Sequence, residues 1–481
     1  MGYSYPSMKK AGGFFALCVL IMLVLPAMAE TTIPFPDISG KDRILIFAPH
    51  PDDESIGCGG VIQEALRAGA QIKVCYFTSG DHNELSFVVY KKRVPLRQKA
   101  FLKLGEMRRQ ESVKAMEYFG LSKDQLTFLC YPDWGTMKIL LQYWRTSRPF
   151  RTLLTRIDRV PASEAPSYGA PYVGESVLRD IKNVITDFKP TKIFVSHPVD
   201  TNRDHRALYL FVKVALWDLE GEITPEVHPY IVHVPRWPYP RGFYPRAELT
   251  PPYALREVTW RKLPLPEQDV DKKHRAILCY NSQIEYEPSY LVSFARQNEL
   301  FGDYPHVELR DKASAAADWR EMEIPGEAVA DETAGEKPAK NITALAYDRD
   351  EEFLFIRLKV KNPLDKAYGV QVHLLGYRKG TDFAEMPKIR IVVGMRGMKI
   401  WDKRRKIAVP GADVRKRDGE YVIRVPLVAL GYPHYVMANV TTYMGSLQLE
   451  ETAWRILQMK MGTVPIFRNG TLYAGNQDQA V

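Results

Sequence analysis

The sequence predicts an α/β fold with a Rossmann-like, mostly parallel sheet and helices on both faces, followed by a C-terminal all-β sandwich. Three observations lead there. Between residues 38 and 311, apolar strand-like runs alternate with helix-period runs, which implies right-handed βαβ crossovers and a sheet covered on both sides. From residue 341 to 475 short strand-like runs follow one another between Gly, Pro and Asp turns, as in a sandwich. Between the two, residues 312–340 are rich in Ala, Glu, Gly and Pro and lack apolar periodicity, as a linker does. A composition 46% hydrophobic and 26% charged is ample for large cores.

The elements follow in order. Residues 1–29 read as an export signal: Lys9-Lys10 are basic, Phe14 to Leu25 are apolar, and Ala27-Met28-Ala29 is a small-x-small cleavage site. The apolar run is short for a membrane span, and Leu17 before Cys18 argues against lipoprotein processing. A mature chain starting near Glu30, periplasmic or extracellular, is expected. Strand-like runs then cover Arg43–Ala48, Gln71–Thr78, Thr127–Tyr131, Lys192–Ser196 and Tyr230–Val234. Helix-like runs cover Ile56–Ala68, Pro95–Phe119, Glu175–Phe188, Asp204–Leu219, Lys272–Tyr280 and Ser289–Phe301. In the last third, Phe353–Val360, Val370–Leu375, Ile389–Val393, Tyr421–Val425 and Tyr435–Thr442 are strand-like, and Arg417-Asp418-Gly419-Glu420 is a hairpin turn. Cys58, Cys75, Cys130 and Cys279 remain after the signal, two of them inside apolar strands and none in CxxC spacing. Free thiols are expected.

Chemistry concentrates after two of the strands. His50-Pro51-Asp52-Asp53-Glu54 follows the first, and His197-Pro198-Val199-Asp200-Thr201-Asn202-Arg203-Asp204-His205 follows the fourth. Open α/β sheets place ligands at the carboxyl ends of their strands. Carboxylates crowded beside imidazoles repel one another unless a cation neutralises them. His50, Asp53 and His205 can therefore meet at one rim around a divalent ion. Two imidazoles, one carboxylate and an open position describe a catalytic zinc site, with Fe2+ or another divalent ion also compatible. Asp52 is left to act as general base.

The pattern HPDDE-x-x-G-C-G-G followed by P-x-D-x-N-x-D-H resembles the PIG-L/LmbE-like zinc de-N-acetylases. The resemblance covers residues 40–305 and implies His50, Asp53 and His205 as zinc ligands and Asp52 as base. Arg108-Arg109-Gln110-Glu111 is similar to the family's R-x-x-E helix, which implies substrate contact by Arg108. Tyr131-Pro132-Asp133 is similar to its PDG loop, and with Trp134 alongside, Asp133 is a candidate for the sugar pocket, a plain turn being the alternative. Many members carry His where this chain has Asn202. An amide can donate a hydrogen bond to an oxyanion but supplies no proton, so the leaving amine would be protonated by Asp52 or His197. Asn202 has a structural turn role as its alternative.

Asp200 and Asp204 can support ligand imidazoles, with a turn and a helix N-cap as their respective alternatives. Glu54 reads as a first-turn carboxylate complementing the helix dipole, with support of the metal ligands as its alternative, and Gly57-Cys58-Gly59-Gly60, which lacks G-x-G-x-x-G spacing, as a close helix–sheet contact. The C-terminal unit resembles family-9-like carbohydrate-binding modules in strand texture, a Trp319 start and the Gly419–Pro426 run, with no single motif carrying the likeness. Trp401 and Trp454 are candidates to stack on sugar, core packing being the alternative. The net charge of +9 has much of its density in Lys399–Lys406 and Arg415-Lys416-Arg417, which are either solvated turns or a contact for an anionic polysaccharide or membrane surface. Nothing beyond charge suggests nucleic acid.

The expected activity is removal of acetyl from an N-acetylglucosamine-type sugar in a glycan or glycolipid, by attack of metal-activated water. A mononuclear iron oxygenase using the same triad, or a non-catalytic glycan-binding protein, are the alternatives.

Overall fold

The structure, a computed structural model, describes residues 32–82, 98–252, 255, 258–309, 328–330, 342–361, 368–395, 397–417, 420–445, 447–459, 465–468 and 471–474. The export signal, most of the linker, Trp319 and the Asp418-Gly419 turn expected from sequence lie outside these residues.

The N-terminal unit opens with β1 (Thr32–Pro34), β2 (Arg43–Ala48), α1 (Asp53–Ala68), β3 (Gln71–Thr78), α2 (Gln98–Phe119), β4 (Leu126–Tyr131) and α3 (Thr136–Gln142). It continues through α4 (Gly174–Phe188), β5 (Lys192–Ser196), α5 (Arg203–Asp218), β6 (Glu226–Tyr230) and β7 (Trp260–Pro264). The helices α6 (Glu267–Ile277), α7 (Asn281–Ile284) and α8 (Pro288–Leu291) precede β8 (Asn298–Gly302). The sheet order is β1-β7-β8-β6-β5-β2-β3-β4. All neighbours are parallel except around β8, which runs antiparallel to β6 and β7. From β2 the chain builds outward through β3 and β4, then returns to the other side of β2 with β5. The carboxyl ends of β2 and β5 thus form the switch point where such sheets open a crevice.

Two elements differ from expectation. The strand expected at Tyr230–Val234 is β6, four residues earlier, in register with β5 from Lys192↔Glu226 to Ser196↔Tyr230. The backbone N–H groups of Val232 and His233 instead donate to the Asp200 carboxylate, so the buried apolar run Ile231-Val232 leaves the ladder. The helix expected at Ser289–Phe301 breaks into α8, a 3-10 turn at Val292–Phe294, and the strand β8. All of β8 is buried, the polar Asn298 and Glu299 included, so its five residues carry no alternation that separates strand from helix.

The helix α1 lies close on its neighbours because its glycines have no side chain. A Cβ on Gly57 would come 2.4 Å from the Tyr230 ring, and one on Gly60 2.3 Å from Leu265. Glu299 closes the same contact, accepting from the Gly60 and Val61 N–H groups and pairing at 2.6 Å with the buried Lys273. This is the close-packing role expected of the Gly-rich run. Cys58, Cys75, Cys130 and Cys279 are all free.

Short strands β9 (Val307–Leu309) and β10 (Ala328–Ala330) precede the C-terminal unit. Next come β11 (Ile342–Arg349), β12 (Phe353–Val360), β13 (Tyr368–Tyr377), β14 (Lys388–Gly394), β15 (Gly397–Asp402) and β16 (Arg405–Ile407). They are followed by β17 (Asp413–Arg417), β18 (Glu420–Pro426), β19 (Tyr435–Met444), β20 (Leu447–Thr452) and β21 (Arg455–Met459), and a separate hairpin pairs β22 (Pro465–Arg468) with β23 (Thr471–Ala474). One sheet runs β10-β20-β19-β13-β14-β15-β16, with β21 on β19 and β9 on β21; the other runs β11-β12-β18-β17. Val372, Leu374 and Val440 from the first and Ile356, Leu358 and Ile423 from the second share one core, which makes a sandwich.

The opposite face of the larger sheet is covered as well. Leu375, Tyr377, Met437 and Trp454 belong to the core of the N-terminal unit. Trp217 of α5 stacks on Tyr435 with ring centroids 4.5 Å apart, and Trp144 meets Phe383 edge-on at 5.0 Å. An apolar junction of this kind holds the two units in a fixed relation.

Candidate metal centre

Three ligand atoms converge at the switch point. His50 Nδ1 lies 3.2 Å from His205 Nε2 and 3.3 Å from Asp53 Oδ2, and His205 Nε2 lies 3.1 Å from that same oxygen. A tetrahedral zinc ion with bonds of about 2.0–2.2 Å sets its ligand atoms about 3.3–3.5 Å apart, so the trio has the spacing of one face of such a site. His50 arrives on the turn after β2, Asp53 starts α1, and His205 sits in the first turn of α5. All three are buried.

A carboxylate stands behind each imidazole. His50 Nε2 is 3.2 Å from Asp133 Oδ1 and 3.6 Å from Asp204 Oδ2, and His205 Nδ1 is 3.0 Å from Asp200 Oδ2. These partners assign the ring protons to the outer nitrogens, which leaves the Nδ1 lone pair of His50 and the Nε2 lone pair of His205 facing one point. Two lone pairs and a carboxylate oxygen within 3.3 Å are stable only with positive charge between them. The electrostatics agree. Burial alone would lower both imidazoles, yet Asp133 raises His50 well above its usual value, and Asp200 with Asp53 raises His205 to about 9. Burial opposes ionisation of Asp53, but the His205 charge and its hydrogen bond hold that carboxyl well below the usual range. The donor set therefore fits a divalent cation.

Asp52 stands beside this trio under tension. Its φ of 130° is a backbone state L-residues rarely adopt, a strain of order 1–3 kcal/mol. Glu54 helps to hold it: its carboxylate accepts from the Asp52 N–H at 3.1 Å and from the Tyr280 hydroxyl. Glu54 is the first-turn carboxylate of α1 expected from sequence, and, fully buried there, it also supports the turn at Asp52. Burial raises the Asp52 carboxyl to about 7 against the opposing charge of Arg108.

The remaining predicted residues divide. The Arg108 guanidinium is buried and donates to Asp52 Oδ2, Pro51 O and Gly80 O at 2.9–3.1 Å, so its contacts are with the chain around Asp52 as well as the cavity. Asp133 is both cavity wall and partner of His50. Asp204 is not the N-cap: Asn202 Oδ1 accepts from the Asp204 N–H, while the Asp204 carboxylate takes the N–H groups of Trp134 and Thr136 and so fixes the Asp133 loop. Asn202 lines the cavity through the same side chain that caps α5. Asp200 accepts from the N–H groups of Asn202, Val232 and His233, which anchors it behind His205. His197 does not reach the cavity. It is buried against Trp260 and Tyr304, accepts from the Val199 N–H, and burial lowers its imidazole to about 3.

The cavity over the trio measures about 530 Å³. Besides His50, Asp52, Arg108, Asp133 and Asn202, its lining includes His82, Trp134, His233, Gln283, Tyr286 and Tyr290. His82 and His233 follow the carboxyl ends of β3 and β6, so the strand-end rule applied to every strand would have found them. Nothing in the sequence marks Tyr286 or Tyr290.

Comparison with known proteins bears on the same segment. Residues 45–216 match the model of the PIG-L family, described as GlcNAc-PI de-N-acetylase. The segment contains His50, Asp52, Asp53 and His205. A putative glucosamine-6-phosphate deaminase-like protein of Bacteroides thetaiotaomicron is 25% identical over 297 residues, covering 54% of this chain and 38% of that protein. The chain thus spans under two-fifths of this curated relative. Among solved structures, N,N'-diacetylchitobiose deacetylase from Pyrococcus horikoshii is 16% identical, covers 58% of this chain and 82% of its own, and has a TM-score of 0.31. The A40926 pseudoaglycone deacetylase is 15% identical, with 55% and 96% covered and a TM-score of 0.34.

Proposed function

We propose that the chain, carrying a PIG-L family domain, is an exported metal-dependent N-deacetylase of an N-acetylglucosamine-type sugar in a glycan or glycoconjugate, with zinc the expected ion. The observation that carries this reading is the convergence of His50 Nδ1, Asp53 Oδ2 and His205 Nε2 at 3.1–3.3 Å, each ring backed by its own carboxylate. When bound there, a divalent ion supplies Lewis acidity toward an acyl oxygen and acidifies water.

The chain's own groups do the rest. Asp52, lining the cavity beside the trio, takes the proton of the attacking water on its carboxylate and passes it to the leaving amine. Arg108 keeps that carboxylate oriented and partly ionised. Asn202 has its Oδ1 committed to the helix cap, which turns its Nδ2 amide to the task of donating to the developing oxyanion. His197, shut away from the cavity, has no part in the proton transfer. Acetate and a free amine leave.

Export is supported by the basic, apolar and small-x-small segments of residues 1–29, and sequencing the N-terminus of the mature protein tests it. Contact of the basic turns around Lys399–Lys406 with an anionic polysaccharide or membrane surface is part of the same reading. The direct test of activity is acetate release from N-acetylglucosamine conjugates by the purified chain, before and after exhaustive chelation. Metal-dependent release supports the proposal; release that survives chelation overturns it.

A further inference from the structure

A second cavity, of about 330 Å³, lies where the two units meet, and it shares His82, Asp133 and Trp134 with the cavity over the trio. Its other side is the outer face of the sandwich. Along β13, Val372 and Leu374 point into the sandwich core, so by the two-residue period Gln371 and His373 point away from it, into this cavity. Arg390 of β14 and Tyr443 of β19 alternate with core residues in the same way. A sheet face that would meet water in an isolated sandwich is here turned toward the catalytic unit.

Trp134 stands between the two cavities. It is 59% exposed, and its φ of 59° is a backbone state that favours glycine, which a bulky side chain adopts only under constraint. The constraint is the 2.6 Å bond from its N–H to Asp204. The indole itself buries little, so packing does not account for tryptophan at a strained position. On the far wall, the Trp454 indole N–H and Arg390 Nε are buried with no hydrogen-bond partner among the described residues. An exposed aromatic face with unpaired donors opposite it suits a polyhydroxylated ring, which presents an apolar face and hydroxyl acceptors.

We propose that this junction cavity is a second sugar subsite, in which the ring attached to the reacting N-acetyl sugar stacks on Trp134 and hydrogen-bonds the β13–β14–β19 face. The inference rests on the N-deacetylase reading and deepens it. The substrate is then a glycan of two or more rings, and the sandwich is part of the substrate site rather than an independent module.

The test uses the full chain and the N-acetylglucosamine mono-, di- and trisaccharides as probes, with binding read by tryptophan fluorescence on metal-free protein and acetate release on metal-loaded protein. The di- and trisaccharide should bind about tenfold or more tightly than the monosaccharide, the scale of one aromatic stack plus a hydrogen bond. Trp134→Gly and Arg390→Ala should each collapse that ratio toward one. Trp134→Gly should melt at the same or a higher temperature, because glycine suits the left-handed backbone and the exposed indole contributes little packing. A ratio near one in the parent protein, or a ratio unchanged in either variant, overturns the subsite. Preserved oligosaccharide preference with no acetate released from any probe supports the subsite and overturns the deacetylase reading instead.

Discussion

The Asp52 carboxylate meets the Arg108 guanidinium at 3.1 Å, both groups buried beside the three convergent ligand atoms. This pairing sets the charge of the acid that lines the cavity beside those atoms. Burial raises the Asp52 carboxyl to about 7, and Arg108 is the largest opposing influence.

Removing that influence has a signed consequence. In Arg108→Gln the carboxyl rises further, by about 1–2 units, so a larger fraction is protonated at neutral pH and fewer molecules carry a competent base. The acid limb of kcat/KM should move to higher pH and activity at pH 7 should fall about 5–50-fold. A pH–rate profile checks this; an unmoved acid limb would show that Arg108 acts on substrate instead.

Asp52→Asn separates base from ligand. The variant should retain the metal content of the parent protein while turnover falls about 10²–10⁴-fold. Metal analysis beside an acetate assay reads both. Loss of metal would make Asp52 a ligand.

Asp133 and Asp200 hold the ring protons of His50 and His205 outward. Asp133→Asn and Asp200→Asn should each weaken metal affinity about 10–100-fold, measured by competition with a chromophoric chelator, with circular dichroism as the check on folding. Unchanged affinity in both would mean the carboxylates do not orient the rings.

Two histidines remote from the trio predict how stability depends on acid. Burial lowers His197 to about 3 and His373 to about 4 from an unperturbed 6.5. A base whose folded pKa lies below its unfolded value is neutral in both states above pH 6.5. Below that only the unfolded chain takes up the proton, and stability falls until the folded pKa is reached. Each residue should cost up to about 3 kcal/mol between pH 6.5 and 4, seen as a falling urea midpoint. A flat midpoint over that window contradicts the burial of these rings as neutral groups.

Much of this arrangement was legible beforehand because it depends on local patterns. The strands before His50 and after Asp187 are apolar runs of the length a buried parallel strand needs, and each ends in a cluster of ionisable groups. The Gly57–Gly60 run also read correctly, since tight helix packing needs no more than the missing side chains. What escaped the sequence is tertiary. Nothing local tells that Asn298–Gly302 joins the sheet antiparallel, or that the Asp204 carboxylate reaches across to the Trp134 and Thr136 backbone while Asn202 takes the cap. His197 shares a segment with His205, yet its ring packs on Trp260 because the turn between them reverses the chain. The junction cavity is built from residues more than two hundred positions apart, which no periodicity connects.

Among the described residues three groupings could hold a cation: His50 with Asp53 and His205, Asp200 with His205 and His233, and His50 with Asp133 and Asp204. An anomalous difference map from zinc-soaked crystals distinguishes them. One strong peak is expected, within about 2.0–2.2 Å of His50 Nδ1, Asp53 Oδ2 and His205 Nε2. A peak at either of the other groupings, or none at all, would contradict this placement of the cation.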